Sequence, residues 1–332
     1  MEISEKQNVN EFVTEHFIND LKAGRIPWRR PWTLEGVPFN PVTKLPYTGI
    51  NQLLLASLGY PTNFFLTFKQ IMDLEAKVKP GERGYSIVLW KKGEAEGEKY
   101  KLLSYSVFNA TQCNDLPEEY PEIQLPENPY QRAEEIKAGI PLMPKIIFAD
   151  GEPMYHNFSD SIYMPLMKAF KDRDQYFYTL YYELVVATGN EKRLNRKEVA
   201  NQYAYNSRQY ALRQLTAEIG AWQLASIAGI KIPLPGYSSN YIQYWIESLE
   251  RDRYLAINAA MSAQKAVNYI LNVKKAEATA EEHVPTAEAE VALNGEFFEP
   301  LHAGESVKNV DTLGGEPPAS PKTSKKKRHE SQ

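Results

Sequence analysis

The chain has one cysteine and five histidines among its 332 residues. A single thiol cannot form an internal disulfide or a thiolate metal cluster within one chain, so Cys113 is expected to be a small buried hydrophobe. No apolar run approaches the roughly 20 residues that a membrane-spanning helix needs. The first ten residues lack the basic start and the apolar stretch of a signal peptide. These absences predict a cytoplasmic protein with no membrane partner.

Charge is unevenly distributed behind a formal net charge of −4. Residues 25–92 contain ten basic and four acidic side chains. Residues 276–320 contain ten acidic side chains and one lysine, and the last 12 residues contain five cations and one carboxylate. The acidity therefore belongs to the tail, and an anionic partner for the rest of the chain is not excluded.

Periodicity and composition predict an α+β protein in four parts. These are a small α+β module, a Pro/Glu-rich connector, a mainly helical module and a disordered tail, with the boundaries 1–116, 117–143, 144–275 and 276–332. Helices are predicted over residues 9–23, 51–58, 165–188, 203–230 and 241–275, and one more is expected to be capped by Thr67. Strands are predicted over residues 85–92, 99–110 and 145–149.

The segment Pro27–Trp32, PWRRPW, places two tryptophans beside two arginines on a backbone that its prolines keep from being helical. Exposed indole rings next to guanidinium groups suit unpaired bases, because the rings stack on bases and the arginines contact phosphates. In the alternative interpretation, Trp28 and Trp32 anchor the loop to the core and the arginines are only solvated.

Several spaced motifs, in the same order, resemble the N-terminal domain of ArdC-type antirestriction proteins over residues 8–116. They are the PWRRPW loop, Asn40–Thr43, Tyr47–Asn51, Phe65–Gln70, Val78–Gly84 and Val107–Gln112. The resemblance implies a domain that binds single-stranded DNA with little sequence preference. Thr48 stands where a basic residue is usual and Phe65 replaces a common tryptophan, and either change would weaken binding without abolishing the fold.

The resemblance and the basic aromatic composition together give a set of candidate residues for binding single-stranded DNA. They are Trp28, Arg29, Arg30, Trp32, Tyr47, Asn51, Lys69, Lys79 and Arg83.

From about residue 144 to residue 230 the resemblance continues into the family's zincin-like metallopeptidase domain. Its active helix follows the pattern HELVHATGHE.RLNR, whereas residues 182–196 read YELVVATGNEKRLNR. An HExxH helix holds zinc with two histidines on one face and activates water with the glutamate. Glu183 remains at the base position, and Glu218 matches a further ligand position. Tyr182, Val186 and Asn190 occupy the three histidine positions.

Valine has no donor atom, and tyrosine and asparagine are poor replacements for imidazole in a zinc site. The degenerate site of Tyr182, Glu183, Val186, Asn190 and Glu218 is therefore expected to have lost zinc and catalysis, and no cofactor is expected. One alternative stays open: a hard cation such as magnesium could be held by the two carboxylates and the asparagine amide. As ordinary helix residues, the two glutamates would instead bond to Tyr182, Arg193 or Arg213.

The leading hypothesis is a non-enzymatic protein of a mobile genetic element that binds single-stranded DNA. It would oppose restriction or a related host defence by coating or occluding the strand, with a catalytically dead peptidase domain. Two alternatives stay open: a residual metal-dependent hydrolase that uses Glu183 and Glu218, and a protein–protein inhibitor of a host defence enzyme without DNA binding.

Overall fold

The computed structural model describes residues 9–29, 37–91, 101–117, 126–233 and 238–273. The helices are α1 Val9–Lys22, α2 Gly49–Ser57, α3 Phe68–Asp73, α4 Pro129–Ala138, α5 Arg173–Ala187, α6 Lys197–Ala200, α7 Arg208–Ala228, α8 Ser239–Arg251 and α9 Leu255–Ile270. The strands are β1 Phe39–Asn40, β2 Leu45–Pro46, β3 Phe65–Thr67, β4 Lys77–Val78, β5 Tyr85–Lys91, β6 Lys101–Asn109, β7 Cys113–Asn114, β8 Lys145–Phe148, β9 Met154–His156 and β10 Ser161–Met164. The α+β class predicted from the sequence is confirmed. The predicted tail lies outside the described residues.

The N-terminal sheet has the strand order β3-β6-β5, and both pairings are antiparallel. Val107 of β6 lies between Thr67 of β3 and Tyr85 of β5. Thr67 then ends β3 and starts α3, because its hydroxyl accepts the backbone N–H of Gln70 while the Gln70 side chain accepts the N–H of Thr67. The predicted cap at Thr67 is therefore confirmed, and it fixes the position of α3 at the end of the sheet.

The second sheet has the order β8-β10-β9, with β8 parallel and β9 antiparallel to the central strand. The helix predicted from residue 165 begins later, because Asp172 caps its first turn by accepting the N–H of Gln175 at 2.8 Å. The single helix predicted over 241–275 is wrong. The chain breaks between α8 and α9, where the Asp252 carboxylate binds the N–H of Tyr254 and Nε of Arg208.

One hydrophobic core joins both ends of the described chain. Apolar side chains of α1 and α2 pack in the same cluster as those of α5, α7, α8 and α9. Buried polar contacts cross the same boundary, since Nε2 of Gln223 donates to Oε1 of Gln52 at 2.6 Å and the N–H of Gly49 donates to Oε1 of Gln264 at 2.9 Å. The predicted module boundaries stay a prediction, but the helices on either side of them share an interior.

Cys113 is buried in a small cluster beneath the N-terminal sheet, as the sequence predicts. Within the described ranges, no helix combines the length and the apolar character needed to cross a bilayer.

Candidate functional site

The candidate site, called the cleft below, is the group of side chains around the buried Glu183 and Glu218, between two packed helices, α5 and α7. Ten of the 15 residues of α5 are buried, as expected for a helix that packs on several sides. Gly220 allows α7 to approach it closely, because a Cβ at this position would lie 2.8 Å from Cγ2 of Val185. This contact brings Glu183 of α5 and Glu218 of α7 to one cleft, where both carboxylates act electrostatically on the Tyr182 hydroxyl.

Arg29 reaches into the cleft from the short 3-10 helix Pro27–Arg29. Its Nη2 atom lies 2.8 Å from Oε1 and 2.7 Å from Oε2 of Glu218. The guanidinium carbon also lies 4.6 Å from the ring centroid of Tyr178, a cation–π geometry. Because the two charged side chains are only 13% and 9% exposed, this is a buried ion pair.

Two tyrosine hydroxyls complete the shell of Glu218. Tyr241 of α8 donates to Oε1 at 3.2 Å, and Tyr178 of α5 donates to Oε2 at 3.4 Å. Both oxygens of the carboxylate are therefore occupied by protein donors. The expectation that Glu218 bonds to Tyr182, Arg193 or Arg213 is wrong, because its cation comes from a residue 189 positions earlier in the chain.

Glu183 has different partners. Its Oε2 atom accepts the backbone N–H of Tyr155, in β9, at 2.7 Å. Burial raises the pKa of Glu183 to about 7, against the opposing effects of this hydrogen bond and of the Arg213 charge. Burial, together with the charges of Glu218 and Glu183, raises the pKa of Tyr182 well above its ordinary value, so the phenol stays neutral. Glu183 is thus a carboxyl group that can exchange a proton near neutral pH.

The other two altered positions have structural contacts. Val186 is buried in the core. The Asn190 amide donates to Oδ1 of Asn157 at 2.9 Å, and its Oδ1 accepts the N–H of Lys192 at 3.0 Å, so it fixes the turn that follows α5.

The arginines of the RLNR segment hold the end of α5 in place. Arg193 donates to the Ala187 carbonyl at 2.7 Å and forms an ion pair with Asp160. Arg196 donates to the Val185 carbonyl at 2.6 Å and is paired with Glu198. Cations that bind the last carbonyls stabilise a helix C-terminus, so this part of the motif serves the scaffold.

Trp28, predicted as a stacking residue, is fully buried. Its ring lies 5.4 Å from that of Trp245 in an edge-on contact and 6.0 Å from that of Phe17. The expectation of an open indole face is therefore wrong for Trp28, and the alternative interpretation, an anchor for the loop, describes this geometry. The physical reason is that the Trp28 ring packs between aromatic side chains of α1 and α8, and α8 is distant from Trp28 in the sequence. Arg30 and Trp32 lie outside the described residues.

Tyr47 and Asn51 are also buried and bonded to the N-terminal sheet, which corrects their assignment to a DNA-contacting surface. The Tyr47 hydroxyl donates to the Phe65 carbonyl at 3.1 Å. Asn51 donates to the Val88 carbonyl at 2.6 Å and accepts the Val88 N–H at 2.7 Å, so its side chain satisfies both backbone groups of a residue in the edge strand β5. Phe65, where the resemblance expects tryptophan, is itself a fully buried core residue.

The remaining candidates lie on the surface of the N-terminal part. Lys69 and Arg83 are exposed, and Lys79 is half-buried with its amine donating to the Thr111 carbonyl at 2.7 Å. Arg29, predicted to bind DNA or else to be solvated, is instead buried against Glu218, which corrects both interpretations for this residue. The contributions of Tyr178, Tyr241 and Tyr155 were not predicted. Only the spacing of Tyr178 four residues before Tyr182, on the same face of a helix, offered a signal.

Both halves of the chain match known families. Residues 7–124 match the family described as the N-terminal domain of anti-restriction factor ArdC, and residues 133–262 match the family described as zincin-like metallopeptidase. A crystal structure of the antirestriction protein ArdC from the R388 plasmid, in its Mn(II)-bound form, is 30% identical with a TM-score of 0.67, covering 80% of this chain and 98% of that one. The chain belongs to the ArdC family of antirestriction proteins. Its second half is a zincin-like metallopeptidase domain.

Two further relatives place this ArdC-family chain in context. The metal-free crystal structure of the same R388 protein is 29% identical, with a TM-score of 0.63 and coverage of 80% of this chain and 97% of that one. A DNA primase TraC of Escherichia coli is 30% identical over 303 residues, which are 80% of this chain but 27% of the primase. The chain thus spans about a quarter of the length of that curated relative.

The residues of this ArdC-family chain do not fit the transition-metal ion that a zincin-like domain implies. Val186 offers no ligand atom, the Asn190 side chain is bonded to Asn157 and to the N–H of Lys192, and both Glu218 oxygens face protein donors. Across the part of the chain that the structure describes, no group of three or more His, Cys, Asp or Glu side chains is arranged to hold a metal ion.

Proposed function

We propose that this chain protects the DNA of a mobile element against restriction by binding it as a single strand, and that its zincin-like domain is a scaffold rather than a peptidase. Binding would occlude the strand from a host defence enzyme.

The ion pair between Arg29 and Glu218 is the observation that supports the non-catalytic part. A hydrolytic metal centre needs a cation with an open coordination position for water. Here the Arg29 guanidinium supplies the positive charge beside Glu218. Unlike a metal ion, a guanidinium has no coordination position at which it could bind and activate water. The carboxylate is satisfied without a metal, so the domain keeps its packing while the chemistry is absent.

Membership of the ArdC family and three cations of the N-terminal part, two of them exposed, support the DNA-binding part. Lys69, Lys79 and Arg83 lie on neighbouring elements, α3 and the segment between β4 and β5. Since phosphate contacts dominate affinity for nucleic acids of any sequence, such a group suits a strand whose sequence varies.

A direct test of DNA binding is fluorescence anisotropy with a labelled oligonucleotide, single-stranded against double-stranded, across a salt series. We expect preference for the single strand, and the triple variant Lys69→Ala, Lys79→Ala, Arg83→Ala should reduce the log–log salt slope by about 2, since each phosphate contact contributes about 0.7. The matched control replaces Lys145, Lys168 and Lys171, which are exposed in the second half, and should bind like the wild type. No binding at low salt would refute the DNA-binding part.

Plasmid transfer into a restricting host tests the non-catalytic part. We expect the Glu183→Gln variant to protect transferred DNA as well as the wild type does, because no metal-bound water has to be activated. Calorimetric titration with Mn²⁺ should give no heat of binding. Loss of protection in Glu183→Gln, together with stoichiometric Mn²⁺ binding, would instead establish the residual hydrolase.

A further inference from the structure

An exposed aromatic surface lies where α3 meets the central strand β6 at the end of the N-terminal sheet. Phe68, the first residue of α3, is 54% exposed, and Met72, one turn later on the same face, is also 54% exposed. The Phe68 ring lies 6.2 Å from the ring of Phe108 in β6, which is half-buried. Large apolar side chains are normally buried, and a grouped exposed set marks a binding surface.

The Phe108 ring lies against the backbone of Gly84, the residue before β5. Gly84 is buried, and a Cβ at this position would lie 3.1 Å from Cζ of the Phe108 ring. A side chain at position 84 would therefore push the ring aside, so the glycine fixes where the Phe108 ring lies.

Exposed cations lie next to this surface in the sequence. Lys69 follows Phe68 in α3, Arg83 precedes Gly84, and both are exposed. The nearest acidic neighbour of Arg83, Glu82, has its carboxylate bonded to Nε2 of Gln112 at 2.8 Å. Two neighbouring rings with exposed cations on adjacent residues suit a single-stranded nucleic acid, in which bases alternate with phosphates.

We infer that Phe68 and Phe108 form a stacking face for an unpaired base, with Met72 extending it and with Lys69 and Arg83 binding the adjacent phosphates. The inference rests on the proposed function and names the residues that would perform it. It moves base stacking away from Trp28, which is buried, to two rings that lie within the quoted motifs but were not among the candidate DNA-binding residues.

The test compares the Phe68→Ala variant with the wild type by anisotropy on a labelled dT oligonucleotide. Loss of one stacked base is expected to weaken binding between about fivefold and about 150-fold. Since no charge changes, the log–log salt slope should stay the same, whereas Lys69→Ala should reduce it by about 0.7. Phe68→Trp should restore binding, and its new fluorescence should be quenched by the oligonucleotide.

Phe158→Ala is the matched control, because Phe158 is 97% exposed in the zincin-like domain and should not affect binding. An oligonucleotide of abasic sites should bind the wild type and Phe68→Ala equally. If the wild type binds the dT strand and Phe68→Ala binds it equally well, the stacking face is refuted while the proposed function stands. If the wild type binds no single strand, both are refuted.

Discussion

Replacing Arg29 by alanine tests the buried ion pair of the cleft directly. The change leaves the Glu218 carboxylate, only 9% exposed, without its cation. Removing one partner of a buried pair costs about 3–5 kcal/mol. The hydroxyls of Tyr178 and Tyr241 remain as donors, so we expect the lower end of that range, a decrease of about 3 kcal/mol in the free energy of unfolding.

Urea denaturation followed by tryptophan fluorescence measures this decrease, because Trp28, Trp222 and Trp245 are all buried in the shared core. The control is Arg132→Ala. Both side chains of the Arg132–Glu135 ion pair are exposed, 43% and 51%, and loss of such a contact costs less than about 1 kcal/mol.

A second variant separates the charge from the packing. Arg29→Met combined with Glu218→Leu should recover most of the lost stability, because apolar residues of similar volume often replace a buried ion pair at no cost. The reasoning is refuted if Arg29→Ala unfolds at the urea concentration of the wild type, or if the double variant is less stable than Arg29→Ala.

Three further changes follow from the geometry. Burial raises the pKa of Glu183 to about 7 from an ordinary 4.5, so the folded state binds this proton more tightly than the unfolded state does. The stabilisation that the bound proton gives the folded state is full below pH 4.5 and is lost as pH rises through 7. Glu183→Gln should therefore flatten the pH dependence of the free energy of unfolding, and an unchanged profile would contradict the shift. Asn51→Ala removes both hydrogen-bond partners of the buried Val88 backbone, so the free energy of unfolding measured in urea should fall by about 2–4 kcal/mol. The salt slope of DNA binding should not change, and a changed slope would indicate that Asn51 contacts a phosphate. Gly220→Ala should lower the melting temperature in a calorimetric scan, because overpacking costs about 1–3 kcal/mol. Adding Val185→Ala should recover part of the loss. If Gly220→Ala melts at the temperature of the wild type, α5 and α7 can move apart without cost and the close contact is not needed.

Local elements were predictable because their signals are local. The capping box between Thr67 and Gln70 needs only four consecutive residues, and the first helix needs only an apolar stripe followed by Gly24. The break between α8 and α9 was missed, since apolar periodicity continues through it and the cap at Asp252 resembles an ordinary polar position of a helix surface.

The cleft was predictable only in part. The family resemblance located Glu183 and Glu218, but partner choice depends on contacts between distant segments. Nothing near Arg29 in the sequence points to Glu218, and nothing near Trp28 points to Trp245. The exposed aromatic surface was missed for the same reason, because the exposure of Phe68 is decided by how α3 packs on the sheet.

The interior shared by the two halves has a consequence for how such genes recombine. The segments that match the two families end at residue 124 and begin again at residue 133. A crossover between them would join an N-terminal piece to a foreign C-terminal piece, so Trp28 would lose its contact with Trp245 and Glu218 would lose Arg29. A recombinant protein made by exchange at that junction should therefore fold only when both original proteins have compatible residues at these interior positions. The two halves are expected to be inherited as one unit.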